Sequence, residues 1–164
     1  MTNDKTTLII GVDPGSVSGA FAFVVWRDGI DPDAAVVGDL PVVDKMVNAA
    51  SWASELELVI RDFPHTFAVV EGVNAFPGQG VSSSFRFGQG FGIILGVLGA
   101  LQIPVTLVSP AKWKKAYALD RDGEKSRAMA CRLYPKIAHT MSKKKDHGRA
   151  EALLLATYYA ERLP

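Results

Sequence analysis

The stretch LIIGVDPGSVSGAFAFVVW, Leu8 to Trp26, sets two apolar runs rich in β-branched and aromatic residues on either side of the turn-forming DPGS. Runs of this length and composition, Thr7–Val12 and Gly19–Trp26, read as two strands joined by a tight link. One acid, Asp13, stands where the first run stops. A carboxylate there has two readings. It can cap the turn through an Asx-type hydrogen bond to the backbone, which DPG suits, or it can serve chemistry at the edge of a sheet.

Outward from this pair, a third run, AAVVGDL, follows the polar RDGIDPD, and three strands with tight links predict an antiparallel meander. MVNAASWASELELVIRDF places Val47, Trp52, Leu56, Val59, Ile60 and Phe63 at helical spacing, with Asn48 or Ser51 as its cap. TFAVVE, Thr66 to Glu71, is a buried-strand pattern that ends, like the first strand, in an acid. A Gly-rich loop then leads into an apolar helix from about Phe85 to Leu101. Its Gly88, Gly92, Gly96 and Gly99 are spaced for close backbone approach, either on the sheet or at an interface between copies. PVTLVSP predicts a further strand, SPAKWKKAYAL and GEKSRAMACRLYP short basic helices, and DHGRAEALLLATYYAERL a strong terminal helix. The order of elements predicts an α/β fold of the ribonuclease H type: a mixed five-stranded sheet, antiparallel meander plus parallel strands, with helices on both faces.

With 164 residues, 48% of them apolar, the chain fits one domain with a substantial core, residues 1–164, and no linker or repeat divides it. No run of 18 apolar residues or signal-peptide pattern occurs, so an intracellular, cytoplasmic protein is expected. A single Cys131 excludes an internal disulfide and a zinc site built on several cysteines. Charge is unevenly spread. Residues 1–85 carry four basic side chains against eleven acids, whereas residues 86–164 carry fourteen against six. The second half therefore either presents a face to a polyanion or neutralises the first.

Asp13 and Glu71 both end apolar strands, and neighbouring strands would bring their carboxylates to one sheet edge. Two adjacent acids repel unless a proton or cation lies between them, and Mg²⁺ or Mn²⁺ suits carboxylate oxygen. Asp146 falls at the N-cap of the last helix and Glu151 in its second turn; His147 shares a face with Glu151. Four such carboxylates would suit two metal ions clamping a phosphodiester. Each acid also has a purely structural reading, as a turn cap, a rim ion pair or a helix cap. No Ser/His/Asp or Cys/His arrangement competes.

GVDPGSVSGAFAFV, VVEGVNAF, SPAKWKKAYAL, GEKSRAMACRLYP and DHGRAEALLLA occur in the order of corresponding motifs in the RuvC family of Holliday junction resolvases, which the chain resembles along nearly its whole length. The glycine-rich loop, SPAKWKK and DHGRAEALLLA look closer to the phage and plant-organelle branch than to the bacterial housekeeping enzyme. The resemblance implies a homodimer that binds branched DNA, a four-way junction, and makes paired symmetric cuts with two Mg²⁺ or Mn²⁺ ions per active site. It implies Asp13, Glu71, Asp146 and Glu151 as catalytic and metal-binding residues, with His147 the alternative to Asp146. One departure is plain: many bacterial members carry an acid three residues before the last one, and here that position is Gly148. The resemblance makes Phe76 a base-stacking wedge, with Phe85 its rival, and places Lys114 and Lys125 at the scissile phosphate. Arg86, Lys112, Lys115, Arg127, Lys143, Lys144, Lys145 and Arg149 are the remaining DNA-contact candidates.

Three other functions fit parts of the pattern: a ribonuclease H-like enzyme cutting RNA/DNA hybrid or RNA, an actin-like ATP-binding fold suggested by DPGSVSGAFAFV, and a catalytically silent junction-binding scaffold. The ATPase fold normally needs two such domains and a much longer chain. A hybrid cutter needs contacts to 2′-hydroxyls rather than a junction-spanning dimer.

Overall fold

The computed structural model describes residues 6–15, 19–72, 78 and 80–163. Three strands come first: β1 (Thr7–Asp13), β2 (Ala20–Trp26) and β3 (Ile30–Asp39). A small hairpin follows, β4 (Val42–Val43) and β5 (Met46–Val47). The chain continues with α1 (Ala49–Ile60), β6 (His65–Glu71), α2 (Val81–Ala100), β7 (Val105–Val108), α3 (Pro110–Ala116) and α4 (Gly123–Leu133). Two short 3₁₀ segments, Pro135–Met141 and Lys144–Asp146, lead into α5 (His147–Ala160).

The main sheet has the order β3-β2-β1-β6-β7. The meander β1–β2–β3 pairs antiparallel, and β6 and β7 add in parallel. This is the mixed five-stranded, ribonuclease H-like sheet that the order of elements predicted. No helix among the described residues is long and apolar enough to cross a membrane.

Local details depart from the sequence reading for identifiable reasons. β3 begins at Ile30 rather than at AAVV, and Pro32 is tolerated because β3 is an edge strand. Met46 and Val47 pair with Val42 and Val43 instead of opening the helix. Asp44 and Lys45, at φ 50° and 62°, form the two-residue left-handed turn that closes such a hairpin. α1 then starts at Ala49, where Asn48 accepts the Ser51 N–H at 3.1 Å and so satisfies an otherwise unpaired donor. α2 starts at Val81, four residues before Phe85. Phe85 is 66% exposed, and Gly88, Gly92, Gly96 and Gly99 face open space, so the glycine stripe does not pack on the sheet. The sheet-facing side of α2 is Ile94, Val97 and Leu98.

Strand alternation sends side chains to two separate cores. Leu8, Ile10 and Val12 of β1 join Ala68 and Val70 of β6 beneath α1 and α2. Ile9 and Val69 face the other way, into the core built on α5, α4 and Trp113 of α3. Gly11, Asp13 and Glu71 have the parity of that second face. Gly11 is a requirement of packing: a Cβ there would lie 2.1 Å from the Ala152 carbonyl oxygen and 2.8 Å from the Ala156 Cβ. β1 and α5 therefore meet at the distance that a missing side chain allows.

Because the first clash is with backbone, Gly11→Ala should cost about 2 kcal/mol or more, in the range of overpacked cores, read as a fall in urea midpoint. Gly29→Ala, where no atom lies within 4 Å of the added Cβ but φ is 148°, separates backbone strain from steric crowding. An unchanged midpoint for Gly11→Ala would show that α5 is free to retreat.

Candidate active site

β1 and β6 run side by side in parallel, with Val12 opposite Val70. One residue further on each strand are Asp13 and Glu71, so the register makes the two strand-end acids neighbours. Both occupy the face covered by α5. Asp13 uses one oxygen, Oδ1, to accept the Gly15 N–H at 3.1 Å. Its other oxygen, Oδ2, faces α5 at Gly148, where an added Cβ would lie 3.2 Å away. The turn-capping and site readings of this aspartate thus hold together, one on each oxygen.

Glu71 is only 8% exposed. Trp113, fully buried in α3, donates its indole N–H to Glu71 Oε1 at 2.9 Å. Glu151, on the second turn of α5, accepts from Lys114 Nζ at 2.7 Å and from Ser126 Oγ at 3.1 Å, both at Oε1. α3 therefore serves two acids with consecutive residues: Trp113 holds Glu71 and Lys114 holds Glu151.

Burial pushes the Asp13 carboxyl up to about 6, and the negative charge of Glu151 adds to the shift; the Gly15 N–H and Lys114 oppose it. Burial likewise pushes Glu71 up to about 7, with Asp13 and Glu151 adding and the Trp113 hydrogen bond and Lys114 opposing. Three carboxylates and one ammonium thus share a desolvated corner, with an excess of negative charge.

No family model matches the sequence, and no curated protein matches it. Two solved structures share the backbone arrangement over almost the entire chain. T. thermophilus RuvC in complex with Holliday junction substrate covers 93% of this chain and 92% of its own, at 17% identity and a TM-score of 0.63. A second Thermus thermophilus RuvC structure covers 94% and 95%, at 16% identity and a TM-score of 0.61. The chain has the fold of RuvC.

On this RuvC fold Asp13, Glu71, Glu151 and Lys114 are coupled to one another by charge and by hydrogen bonds. The buried Asp146 accepts the Lys143 N–H at 2.9 Å and lies 3.9 Å from Arg149. His147 is exposed, contacts the Lys144 carbonyl at 3.2 Å and packs over Gly123. Among the described residues, no three His, Cys, Asp or Glu side chains are close enough to hold a metal ion as they stand. The chemistry of the donors nevertheless suits a hard divalent cation. Asp13 and Glu71 are two desolvated, mutually repelling oxygen ligands, and a 2+ charge beside them would reverse both pKa shifts.

The predicted DNA-contact residues divide. Lys125 pairs with Asp120, Arg127 with Glu124 and the Met141 and Ser142 carbonyls, and Arg149 with Asp39 and the Thr140 carbonyl. Arg86, Lys112, Lys115, Lys143, Lys144 and Lys145 are exposed or partly so, and Phe76 lies outside the described residues. Sequence reasoning missed Trp113, Ser126 and Lys45. A tryptophan within a short basic helix is the available signal for the first, since a buried indole N–H seeks an acceptor. Lys45 carries no local signal; in the β4–β5 turn it lines one small cleft with Arg86 and Gly15.

The raised pKa values set a pH dependence. Folded Asp13 and Glu71 hold protons to about 6 and 7 against ordinary values of 3.8 and 4.5. The folded state binds more protons than the unfolded chain between those limits, so stability falls as pH rises from about 4 to 7. Urea unfolding in EDTA should show a loss on the order of a few kcal/mol across that window. Asp13→Asn should flatten it, and an unchanged slope would contradict the shared desolvation. A second test uses Gly148→Asp, which would set a carboxylate against Asp13. Its Tm should fall in EDTA, and the recovery on adding Mg²⁺ should exceed the Mg²⁺ response of the unaltered protein; equal responses would place residue 148 away from the ion.

Proposed function

We propose that this chain is a metal-dependent endonuclease that resolves four-way DNA junctions by paired, symmetric phosphodiester hydrolysis. The observation that carries the reading is the convergence of Asp13, Glu71, Glu151 and Lys114 at one end of the sheet, on a backbone shared with a RuvC solved with a Holliday junction substrate. The fold by itself is compatible with several chemistries. The acids on its parallel strands and α5 are what favour phosphoryl transfer.

Asp13 and Glu71, with Glu151 as the third acid, form the donor set for Mg²⁺ or Mn²⁺. A bound divalent ion would neutralise the carboxylates, make an attacking water more acidic and stabilise charge on the scissile phosphate. The fourth ligand of the expected two-ion arrangement is Asp146, or alternatively His147, which in the structure contact the Lys143 N–H and the Lys144 carbonyl, so the reading rests first on these three acids. The protein supplies the rest. Trp113 fixes the Glu71 carboxylate, Ser126 orients Glu151, and Lys114 brings a positive charge to the acids, where it can meet a phosphate oxygen as negative charge develops. Lys125, paired with exposed Asp120, and Lys112, Lys115, Arg86 and Lys45 form the surrounding phosphate-contact candidates.

Two symmetric cuts in a junction with two-fold symmetry call for two active sites related by a two-fold axis. α2 offers a surface for a second copy. Val81 and Phe85, 87% and 66% exposed, continue into the open stripe of Gly88, Gly92, Gly96 and Gly99, along which another helix could lie close.

The test is cleavage of a labelled four-way junction, a duplex, single-stranded DNA and an RNA/DNA hybrid, with Mg²⁺ and with EDTA. Paired junction nicks dependent on Mg²⁺ are expected, and Glu71→Gln should reduce their rate by about a hundredfold or more. Junction binding should survive that substitution, because removing a carboxylate charge lowers repulsion of phosphate. Cleavage of the hybrid in place of the junction would move the function to a ribonuclease; binding without cutting would make the chain a scaffold.

A further inference from the structure

Asp13, Glu71 and Glu151 share a pattern in their hydrogen bonds. Each has one oxygen held by a protein donor: Asp13 Oδ1 by the Gly15 N–H at 3.1 Å, Glu71 Oε1 by the Trp113 indole N–H at 2.9 Å, and Glu151 Oε1 by the Ser126 hydroxyl at 3.1 Å and Lys114 Nζ at 2.7 Å. Among the described residues, no donor reaches the second oxygen of any of them. The donors come from three separate elements: the turn after β1, α3 and α4. An ionised carboxylate accepts equally on both oxygens, so two donors on one oxygen of Glu151 and none on its twin is a biased arrangement.

Two of these donors are rigid. Trp113 is fully buried and belongs to the same core as Ile9, Val69 and Val108. Packing fixes the plane of a side chain held in this way, so the direction of its N–H is set before any ion arrives. Ser126 is also fully buried, on α4, which packs against α5. Lys114 differs, because it reaches Glu151 on a long stem and supplies charge more than direction. Trp113 and Ser126 therefore dictate which oxygen of Glu71 and of Glu151 stays open, in the way that groups behind a metal ligand orient it.

Which oxygens stay open decides which ion fits. Ca²⁺ takes about six to eight oxygens in flexible geometry and accepts carboxylates through both atoms, whereas Mg²⁺ demands octahedral order and keeps several waters. We propose that Trp113 and Ser126 are positioning residues that restrict Glu71 and Glu151 to binding an ion through one oxygen each, so that the site selects Mg²⁺ over Ca²⁺. The Gly15 N–H restricts Asp13 in the same way. This rests on the metal-dependent part of the function proposed above and adds the means of discrimination. Without its indole partner, Glu71 would offer both oxygens, an extra ligand that the larger ion accepts and the smaller one does not.

The test uses the full chain, freed of metal and without DNA. Bound Mn²⁺ is followed by electron paramagnetic resonance and displaced with Mg²⁺ or with Ca²⁺, at a pH above the Asp13 and Glu71 values of about 6 and 7. Glu71→Gln identifies the signal from this site by its loss. The ratio of the Mg²⁺ and Ca²⁺ affinities is the readout, because damaged packing or altered carboxyl protonation weakens both ions together. The unaltered chain should favour Mg²⁺. Trp113→Phe, which keeps a ring but no N–H, and Ser126→Ala should each move the ratio toward Ca²⁺ by about tenfold. Ser126→Ala removes a single atom, so it carries the test should Trp113→Phe fail to fold. In the unaltered chain the Trp113 indole N–H resonance should shift on Mg²⁺ binding and stay protected from solvent exchange. Loss of that protection, or a ratio unchanged in the folded variants, would overturn the positioning role and leave metal-dependent cleavage intact. Absence of any Mn²⁺ binding would overturn it together with the metal site. Altered selectivity in a chain that cuts no junction would uphold the positioning role and overturn the resolvase reading.

Discussion

The absence of a side chain at residue 11 is the constraint on which the site depends. It lets α5 lie against β1 with the Ala152 carbonyl and the Ala156 methyl occupying the space a Cβ would need. Two residues along the strand, Asp13 meets Gly148, four residues back along the helix. Two strand residues rise about 6.6 Å and four helical residues about 6 Å, so the two contacts keep step. α5 is thereby fixed in both distance and direction, and Glu151, the residue before Ala152, is brought to the acids at the strand ends. Alternation completes the arrangement: Ile9, Gly11 and Asp13 share a face, as do Val69 and Glu71.

Electrostatics make this arrangement costly for the protein alone. Burial disfavours the charged forms of Asp13 and Glu71, and each acid raises the pKa of its neighbour. Partial relief comes from the Trp113 N–H, the Gly15 N–H and the Lys114 ammonium. A core serving stability alone would gain from replacing such a cluster by apolar side chains. Its position at the ends of the parallel strands β1 and β6, with a cation beside it, suits a function that brings positive charge in. Elsewhere the basic half of the chain is partly occupied internally. Arg149 grips Asp39 with two nitrogens, and Lys136 pairs with Asp33, joining α5 and the segment before it to the acidic edge strand β3. The uneven charge distribution therefore stitches the two halves together as well as leaving lysines exposed.

The strands, the helices and the order of elements were legible because each carries a local signal: period-two runs, helical spacing, and Asn48 or Ser51 as a cap. Asp13 and Glu71 were legible as strand-end acids for the same reason. What the sequence could not give was register. Whether Asp13 lies beside Glu71 depends on Val12 pairing with Val70, a long-range contact with no local signature. The same holds for Trp113 and Ser126, whose partners are 42 and 25 residues away. Spacing left two readings open at α2, packing on the sheet or an interface between copies, because periodicity identifies a common face without saying what covers it; the four glycines face outward. Met46 and Val47 of the small hairpin were read as part of the helix because Val47 continues the apolar spacing of α1; the left-handed pair Asp44–Lys45 decided otherwise.

Gly148 shows how packing and chemistry constrain one another here. A side chain at 148 would point at Asp13 Oδ2 from 3.2 Å, so an acid there would be well placed to share an ion with Asp13 and poorly placed without one. Glycine removes that repulsion and, with Gly11, lets α5 settle onto β1. The consequence is a site with three carboxylates and a lysine rather than four carboxylates. A fourth oxygen donor from the start of α5 would have to come from Asp146, whose carboxylate accepts the Lys143 N–H and closes the turn leading into the helix. Recruiting it would exchange a buried helix-entry bond for a metal ligand. Lys114 is already hydrogen-bonded to Glu151 and brings positive charge to the carboxylates without any such exchange.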